Sequence, residues 1–266
     1  MGRLTERFTV MIPELSVEIH HSVDHWGSIH VLEHQGIRYL TFGDGGEQSA
    51  VDLEQPHIPL YEYTQAMLLA LIFHPHPNQI VLLGLGGGSL ATALLHNLPT
   101  TSQITAVELR AQVACAAQDW FQLPNDPRLT VEIEDAGHYM AKRSKSCDLL
   151  FADIYLDEGM QKVQLSEELL GHCERLLTDE GVLVLNLWDE GHGCHPLALE
   201  RLSGLFGGQL LACPIIGGNL VLFASKAGLE LPNPRHLQQP LKRLSKRSGD
   251  LPLQELFNRL RPLSGW

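Results

Sequence analysis

The chain has 266 residues, of which 44% are apolar and 19% charged, a composition typical of globular proteins that excludes a wholly disordered chain. Its longest apolar runs fall far short of the roughly 20 residues that cross a bilayer. The net charge is −12, and residues 1–225 hold 11 basic and 28 acidic side chains. An acidic body repels nucleic acid and favours cationic ligands, so we expect no nucleic-acid partner and no membrane association.

The cysteines and the first ten residues bear on the cellular compartment. The chain has five scattered cysteines without Cys-x-x-Cys spacing, namely Cys115, Cys147, Cys173, Cys194 and Cys213. This spacing predicts free thiols and argues against a disulfide scaffold or a thiolate zinc site. Residues 1–10 carry charges where a signal peptide would be apolar. We therefore expect a cytoplasmic protein.

Residues 1–56 predict a small antiparallel β domain. Short, partly alternating runs predict strands at Ser16–His20, Gly27–His34 and Ile37–Phe42, followed by a glycine-rich turn at 43–46. Residues 61–73 then have apolar side chains at helical spacing, which predicts one helix. The segment His74-Pro-His-Pro77 ends that helix, because proline cannot continue it.

From residue 79 onward, apolar runs without alternation are separated by helical patterns. The strands are predicted at Gln79–Leu83, Gln103–Glu108, Leu129–Ile133, Asp148–Ala152 and Val182–Leu187. The helices are predicted at Ser89–Asn97, with Ser89 as N-cap, and at Ala111–Phe121, Ala136–Lys142, Ser166–Leu177 and Pro196–Phe206. This order predicts a doubly wound, mostly parallel, Rossmann-like α/β sheet over residues 57–228 that ends in an antiparallel hairpin. Residues 229–266 read as a basic, proline-containing extension with a short helix.

A glycine loop between the first long strand and its helix is the strongest local signal. It contains Gly84, Gly86 and Gly88, and glycines let a ligand approach the backbone near a helix N-terminus. Glu108 ends the next strand, where a carboxylate can accept both hydroxyls of a ribose. Asp135 and Ala136 follow the third strand, where an adenine would lie, although Asp135 could also cap a helix. The segment predicts a nucleoside site; the alternative is a tight turn without a ligand.

The sixth position of the loop is Ser89, where a dinucleotide fingerprint has Gly or Ala, so the layout is more similar to class I methyltransferases that use S-adenosylmethionine. More specifically, the chain resembles the spermidine synthase family, the polyamine aminopropyltransferases. The matching segments occur in the family's order, and they are residues 43–48 ending in Gln48, His74–Pro77, Gly84–Ser89, Glu108, Asp135–Ala136 and Ala152–Asp153.

The resemblance implies a Rossmann-like domain behind a small β domain, and a transferase that uses an adenosyl sulfur compound as co-substrate without a metal. That compound would be decarboxylated S-adenosylmethionine, S-adenosylmethionine or methylthioadenosine. It would be bound by Gln48, Gly84, Gly86, Gly88, Glu108, Asp135 and Ala136. Asp153 would be the base, with Tyr155 and Asp157 near a cationic amine. Family members also suggest a homodimer or homotetramer joined through the N-terminal sheet.

The sequence departs from the family where the amine and the donor ammonium would lie. Gly87 replaces the loop aspartate, and the second acid after the fourth strand is displaced to Asp157. The family's Tyr-x-Glu pair falls on Glu62 and Thr64, which leaves Tyr63 out of register. Two alternatives therefore stay open beside aminopropyl transfer: a methyltransferase, and a non-catalytic binding protein on the same scaffold.

Histidines are dense in the N-terminal segment but do not have the spacing of a metal motif. They are His20, His21, His25, His30 and His34. A hairpin is expected to distribute them over both faces, and a loop at 192–195 offers only a His-Gly-Cys-His run. We therefore expect no metal.

Overall fold

The computed structural model describes residues 12–43, 46–156, 159–160, 162–188, 195–206, 210–229 and 234–263. Its first sheet is an antiparallel meander of β1 (Val17–Asp24), β2 (Gly27–His34), β3 (Ile37–Phe42) and β4 (Glu47–Asp52). The three predicted strands are present, and β4 is additional. The predicted turn at 43–46 includes residues 44 and 45, which lie outside the described part of the chain.

Two short helices, α1 (Glu62–Met67) and α2 (Ala70–Phe73), replace the single helix predicted at 61–73. Around Leu68 and Leu69 the backbone bonds tighten to i→i−3, with Leu68 N–H donating to the Gln65 carbonyl at 3.2 Å and Leu69 N–H to the Ala66 carbonyl at 2.9 Å. Such 3₁₀-type bonds interrupt the α-helical ladder without a proline. The prediction of helical structure at 61–73 is therefore correct, but the prediction of a single continuous helix is wrong.

Ten further strands follow within the described residues, and three of them, at Tyr155–Leu156, Gly159–Met160 and Arg261–Pro262, were not predicted. They are β5 (Gln79–Leu83), β6 (Gln103–Glu108), β7 (Leu129–Ile133), β8 (Cys147–Ala152), β9 (Tyr155–Leu156), β10 (Gly159–Met160), β11 (Leu177–Trp188), β12 (Leu211–Pro214), β13 (Asn219–Ser225) and β14 (Arg261–Pro262). The helices are α3 (Ser89–Asn97), α4 (Ala111–Trp120), α5 (Ala136–Lys142), α6 (Glu167–Leu176), α7 (Pro196–Leu205), α8 (Pro234–Arg247) and α9 (Leu253–Arg259).

The second sheet has the strand order β14-β12-β13-β11-β8-β5-β6-β7. The pairs from β11 through β8, β5 and β6 to β7 are parallel, whereas β13 pairs antiparallel with both β11 and β12. Apolar clusters cover both faces of this sheet, so its central strands are buried on both sides. The predicted doubly wound, Rossmann-like fold with a small antiparallel β domain is confirmed.

The two sheets meet through α4. On the inner face of the first sheet, Ile29, Val31 and Leu40 form one apolar cluster with Val113 of α4 and with Phe121 just after it. Helix α4 follows β6 directly, so this contact places the meander beside the carboxyl end of β6.

The C-terminal segment is more ordered and more deeply packed than a basic extension with one short helix. Helix α8 has 14 residues, and α9 follows it. Leu241 of α8, together with Leu253 and Leu256 of α9, belongs to the main core cluster, and each is at most 2% exposed. The boundaries at residues 56 and 228 stay a prediction. Among the described residues, no helix has the length and apolar character that crossing a membrane requires.

Candidate functional site

A cavity of about 400 Å³ opens at the carboxyl ends of β5, β6 and β8. Strand β5 lies between β6 and β8, so the chain order reverses there, and ligands of open α/β sheets bind at such a switch point. Eight of the predicted site residues line this cavity, and they are Gln48, Gly84, Gly86, Glu108, Asp135, Ala136, Asp153 and Tyr155. The fold therefore brings most of the predicted site together.

Position 84 requires glycine because the backbone of Asp153 approaches it closely. Its φ is +97°, and a Cβ atom there would lie 2.2 Å from the carbonyl oxygen of Asp153. Its N–H donates to the Val107 carbonyl at 2.8 Å, which couples the ends of β5 and β6. Gly88, by contrast, is the N-cap of α3 and is not among the lining residues, and the predicted cap Ser89 is instead the first residue of the helix. The αL conformation at Gly88, with φ +78°, explains this shift, since a left-handed residue cannot belong to the helix.

Glu108 holds the glycine loop. One carboxylate oxygen accepts the N–H of Leu85 at 3.0 Å and the N–H of Gly86 at 3.4 Å, and the other accepts the N–H of Arg110 at 3.0 Å. Burial raises the pKa of the Glu108 carboxyl, and these backbone donors and the Arg110 charge oppose the rise. The side chain is 8% exposed and lines the cavity, so a carboxylate faces the place where a ribose is expected.

Asp135 caps α5, one of the two roles that the sequence allows. Its carboxylate accepts the N–H of His138 at 2.9 Å. About half of the side chain is exposed, and both Asp135 and Ala136 face the cavity. Capping uses one carboxylate oxygen, so an adenine amine can still donate to the other.

Asp153 lies just beyond β8, and its carboxylate accepts hydrogen bonds from two side chains. Asn186 donates its amide to the carboxylate at 2.8 Å, and the Tyr63 hydroxyl donates a second hydrogen bond. Burial raises the pKa of Asp153 to about 6, and the two hydrogen bonds oppose the rise. A carboxylate with this pKa is ionised at neutral pH and takes up a proton readily.

Sequence reasoning missed Tyr63 and Asn186. Tyr63 is on α1, one position from the register expected of the family tyrosine, so gapless counting misplaces it. Asn186 is 1% exposed within β11, and its amide oxygen accepts from Asn219 of β13 at 3.0 Å. A buried polar residue in an otherwise apolar strand is the one signal in the sequence that marks Asn186.

Glu47 is a further acid that the sequence did not mark. It begins β4, lines the cavity beside Gln48, and accepts the Tyr61 hydroxyl at 3.0 Å. Burial raises the pKa of Glu47, and hydrogen bonds from the Tyr61 hydroxyl and the Ile12 N–H oppose the rise. Tyr61, just before α1, and Tyr63 within that helix thus reach two different carboxylates of the same cavity.

The position of the missing loop aspartate is filled. A Cβ atom at Gly87 would lie 2.8 Å from the Ser49 hydroxyl and 3.1 Å from the Phe121 ring. An aspartate there would need both neighbours to move. Ser49 of β4 and Phe121 therefore occupy the space that a side chain at position 87 would need.

Two aromatic side chains, Tyr155 and Trp188, also line the cavity, and Trp188 is 48% exposed. Burial and the Asp153 charge raise the pKa of Tyr155, and its hydroxyl donates to the Asn186 carbonyl at 3.4 Å. Asp157, predicted near the amine, lies outside the described residues, as do Glu158 and residues 192–194.

The described lining has a single sign of charge. It includes five carboxylates, those of Glu47, Glu108, Glu134, Asp135 and Asp153, and no lysine, arginine or histidine among the residues that the structure describes. Lys142 pairs with Glu134 at 2.5 Å and Arg110 lies near Glu108, both outside the lining. The remaining excess of carboxyl groups in a concave cavity favours cationic ligands.

Comparison with known proteins supports the resemblance. Residues 62–189 match the family model of the spermine/spermidine synthase domain. A polyamine aminopropyltransferase from Chromobacterium violaceum is 30% identical over 244 residues, which cover 90% of this chain and 92% of that protein.

Two solved structures share the fold. A probable spermidine synthase from Corynebacterium glutamicum has a TM-score of 0.69 at 19% identity, covering 88% of this chain and 87% of that one. Human methyltransferase-like protein 13 in complex with SAH has a TM-score of 0.53 at 25% identity, covering 77% of this chain and 91% of that one. The sequence match over nearly the full length decides between these two groups, and by it the chain belongs to the spermine/spermidine synthase family.

Proposed function

We propose that this chain is a transferase that moves an aminopropyl group from decarboxylated S-adenosylmethionine to an amine, with Asp153 as the base. The observation that carries the proposal is the position of Asp153 in an acidic cavity beside the glycine loop, held by Tyr63 and Asn186. The polyamine aminopropyltransferase of Chromobacterium violaceum, which is 30% identical over 90% of this chain, supports the choice of reaction.

The nucleoside half of the site is proposed to consist of Gln48, Gly84, Gly86, Glu108, Asp135 and Ala136, with Gly88 setting the start of α3. Glu108 would accept the ribose hydroxyls, and Asp135 the adenine amine. The sulfonium would then lie near Asp153, because β5 and β8 are neighbours and the Asp153 N–H bonds to the Leu83 carbonyl at 2.9 Å. Tyr155, and Asp157 beyond the described residues, would contact the amine.

The reaction needs one bond formed, one broken and one proton removed. The cationic amine first gives one proton to the Asp153 carboxylate, which frees the lone pair of its nitrogen. That lone pair attacks the carbon beside the sulfonium, the C–S bond breaks, and its electron pair returns to sulfur, which leaves as a neutral thioether. The product nitrogen is again an ammonium, and Asp153 then releases its proton to solvent. The protein's main contribution is to align amine and sulfonium carbon within the cavity.

The charge of the cavity favours the decarboxylated donor. That molecule presents an ammonium and no carboxylate, and the described lining holds five carboxylates and no cationic side chain. An intact amino-acid moiety would bring a carboxylate close to Glu47 or Asp153 without a charged partner. We therefore expect tighter binding of the decarboxylated form.

Calorimetry and turnover with the two donors test the proposal. We expect binding of decarboxylated S-adenosylmethionine, aminopropyl transfer to a di- or polyamine, and loss of turnover in Asp153→Asn with donor binding retained. Binding of neither donor would support the non-catalytic alternative and overturn the proposal. Unchanged turnover in Asp153→Asn would refute the base assignment alone.

Methyl transfer is the second candidate, favoured by the structural likeness to human methyltransferase-like protein 13 in complex with SAH. It requires intact S-adenosylmethionine as donor. Tighter binding of the carboxylated donor, with methyl rather than aminopropyl product in mass spectrometry, would favour this second candidate over the first.

A further inference from the structure

Three potential metal ligands cluster on the outer face of the first sheet, outside the cavity. They are Glu18 and His21 of β1 and His30 of β2, and one ligand atom from each lies within 4.8 Å of the other two. The Nδ1 atom of His30 is 2.6 Å from a carboxylate oxygen of Glu18. None of the three lines the cavity, so the proposed transfer reaction gives them no role.

A β-bulge brings these residues to one face. Glu18 pairs with Leu32 and His20 pairs with Val31, so Ile19 is an extra residue in β1. Glu18 and His21 are three positions apart in the sequence, so on a regular strand without a bulge they would point to opposite faces. With it, Ile19 packs on the inner cluster, and Glu18 and His21 both lie on the outer face. Bulges re-aim side chains in this way and are common near functional sites.

The register completes the cluster. His21 pairs directly with His30 across the two strands, and their ring centroids are 4.5 Å apart. The histidines do lie on both faces of the hairpin, as expected, because His20 pairs with the inward-facing Val31 and stacks on Trp120 at 5.3 Å. The sequence did not predict that His21 and His30 would meet on the outer face.

The chemistry of the three groups fits a divalent transition metal. Two imidazoles and one carboxylate form a known ligand set for Zn²⁺, with a water in the fourth position. The two rings are parallel within 3°, and a shared ion must lie in both ring planes, so one ring has to turn. His21 is exposed, and the terminal torsion of histidine is broad, so little opposes that rotation.

We propose that Glu18, His21 and His30 form a binding site for Zn²⁺ or a similar divalent transition metal ion that links β1 to β2. Strand β1 is the edge of the first sheet and pairs only with β2 among the described strands. A metal bound across the pair would hold this edge in register. The proposal is independent of the transferase function, because no residue of the cavity takes part.

Titration of the full chain with Zn²⁺ by calorimetry, and with Co²⁺ by visible absorption, tests the site. We expect saturable binding by the wild type. The substitutions His21→Ala, His30→Ala and Glu18→Gln should each lower the metal affinity by at least about tenfold, because loss of even a hydrogen-bond partner of a metal ligand has an effect of that size. The matched control is His34→Ala, which removes a histidine from the same strand as His30 but outside the cluster. Intensity of the Co²⁺ d–d bands reports whether the coordination is four- or five-fold.

Thermal melts separate loss of binding from loss of folding. Zn²⁺ should raise the melting temperature of the wild type and of His34→Ala, and should not raise that of a His21→Ala/His30→Ala double variant. The double variant should keep the circular dichroism of the wild type without metal. No saturable Zn²⁺ binding by the wild type, or equal binding by the double variant, would overturn the proposal.

Discussion

At the scale of single residues, two opposing effects determine the pKa of Asp153. Burial favours its neutral form, while the Asn186 amide and the Tyr63 hydroxyl stabilise the carboxylate. Burial is the larger influence, so the pKa is about 6, against 3.8 for the unperturbed group. The folded protein thus holds an ionised carboxylate at neutral pH at some cost in stability, as expected of a group kept for reactivity.

The substitution Asp153→Asn should stabilise the protein at neutral pH while abolishing turnover. The folded-state pKa is raised, so the contribution of the Asp153 carboxyl to stability falls as the pH rises from about 4 through about 6, whereas an amide at this position contributes no such change. Allowing for partial exposure to the cavity, we expect a gain of about 1–2 kcal/mol at pH 8 that vanishes near pH 4. Urea denaturation of both proteins across this range measures it, and a pH-independent difference would contradict the assigned pKa.

Replacing Asn186 should shift the pH dependence of the reaction. Asn186→Leu removes a hydrogen bond that lowers the pKa of Asp153, so the acidic limb of the kcat/KM profile should move to higher pH by about one unit. The matched control is Asn97→Leu, a buried asparagine outside the cavity, which should leave the limb in place. A lower kcat with an unmoved limb would show that Asn186 does not act on Asp153.

At the scale of elements, the strand–loop–helix unit from β5 to α3 depends on glycine at one particular contact. The backbone turns at Gly84 against the carbonyl of Asp153, so the loop and the base share a single close approach. Gly36 in the turn between β2 and β3 has a similar positive φ of +79°, and a Cβ atom added there would have no neighbour within 4 Å. A comparison of alanine substitutions at Gly36 and Gly84 therefore separates the effect of positive φ from the effect of the close contact with the Asp153 carbonyl.

Gly84→Ala should therefore cost more than Gly36→Ala. Both variants place alanine at positive φ, which costs about 1 kcal/mol. At Gly84 the added methyl must also displace the Asp153 backbone, which should bring the loss to about 3 kcal/mol. Activity should fall sharply in Gly84→Ala and stay at the wild-type level in Gly36→Ala. Denaturant unfolding and steady-state kinetics measure both, and equal losses at the two positions would contradict the contact.

At the scale of the whole molecule, an ion pair joins the two sheets next to the site. The Arg110 guanidinium, 1% exposed, binds the Asp24 carboxylate at 2.9 and 3.0 Å and the Gly27 carbonyl at 2.9 Å. The Arg110 N–H bonds to Glu108, and Trp26 in the β1–β2 turn lines the cavity. The turn that carries Trp26 is thereby held against the strand end that carries the proposed ribose ligand.

Removing the Asp24 carboxylate should loosen this junction. Asp24→Ala leaves a buried guanidinium without its counter-charge, and we expect a loss of about 3 kcal/mol in stability. The KM for the nucleoside donor should rise more than kcat falls, because Trp26 moves with the turn. The control is Glu33→Ala, which breaks the more exposed pair with Arg38 at 2.8 Å and should cost under about 1 kcal/mol. Equal effects of the two variants would refute the junction role.

Self-association is also a property at this scale. The homodimer or homotetramer expected from the family resemblance stays a prediction, with the first sheet as its contact surface. Light scattering of the purified chain tests it, and a monomer at micromolar concentration would contradict it.

Local sequence is sufficient to predict the order of the main strands and helices between residues 79 and 206, the glycine loop, and the acids that follow the strands. Apolar runs mark buried strands, and the carboxyl ends of parallel strands meet at one edge whatever the details of packing. The sequence therefore predicts that Glu108, Asp135 and Asp153 lie at one edge of the sheet, and all three line the cavity there.

Contacts between distant segments decide which side chains act on Asp153, how the C-terminal helices pack, and which histidines share a face. Tyr63 and Asp153 are 90 positions apart, and no periodicity reports a contact over that separation. The extra residue in the β1 bulge decides which face of the sheet Glu18 lies on. The amphipathic pattern of α8 predicts a helix with one buried face, but it does not predict which apolar cluster that face packs against. Such features depend on tertiary pairing and packing, whereas local sequence reports only the element that each segment forms.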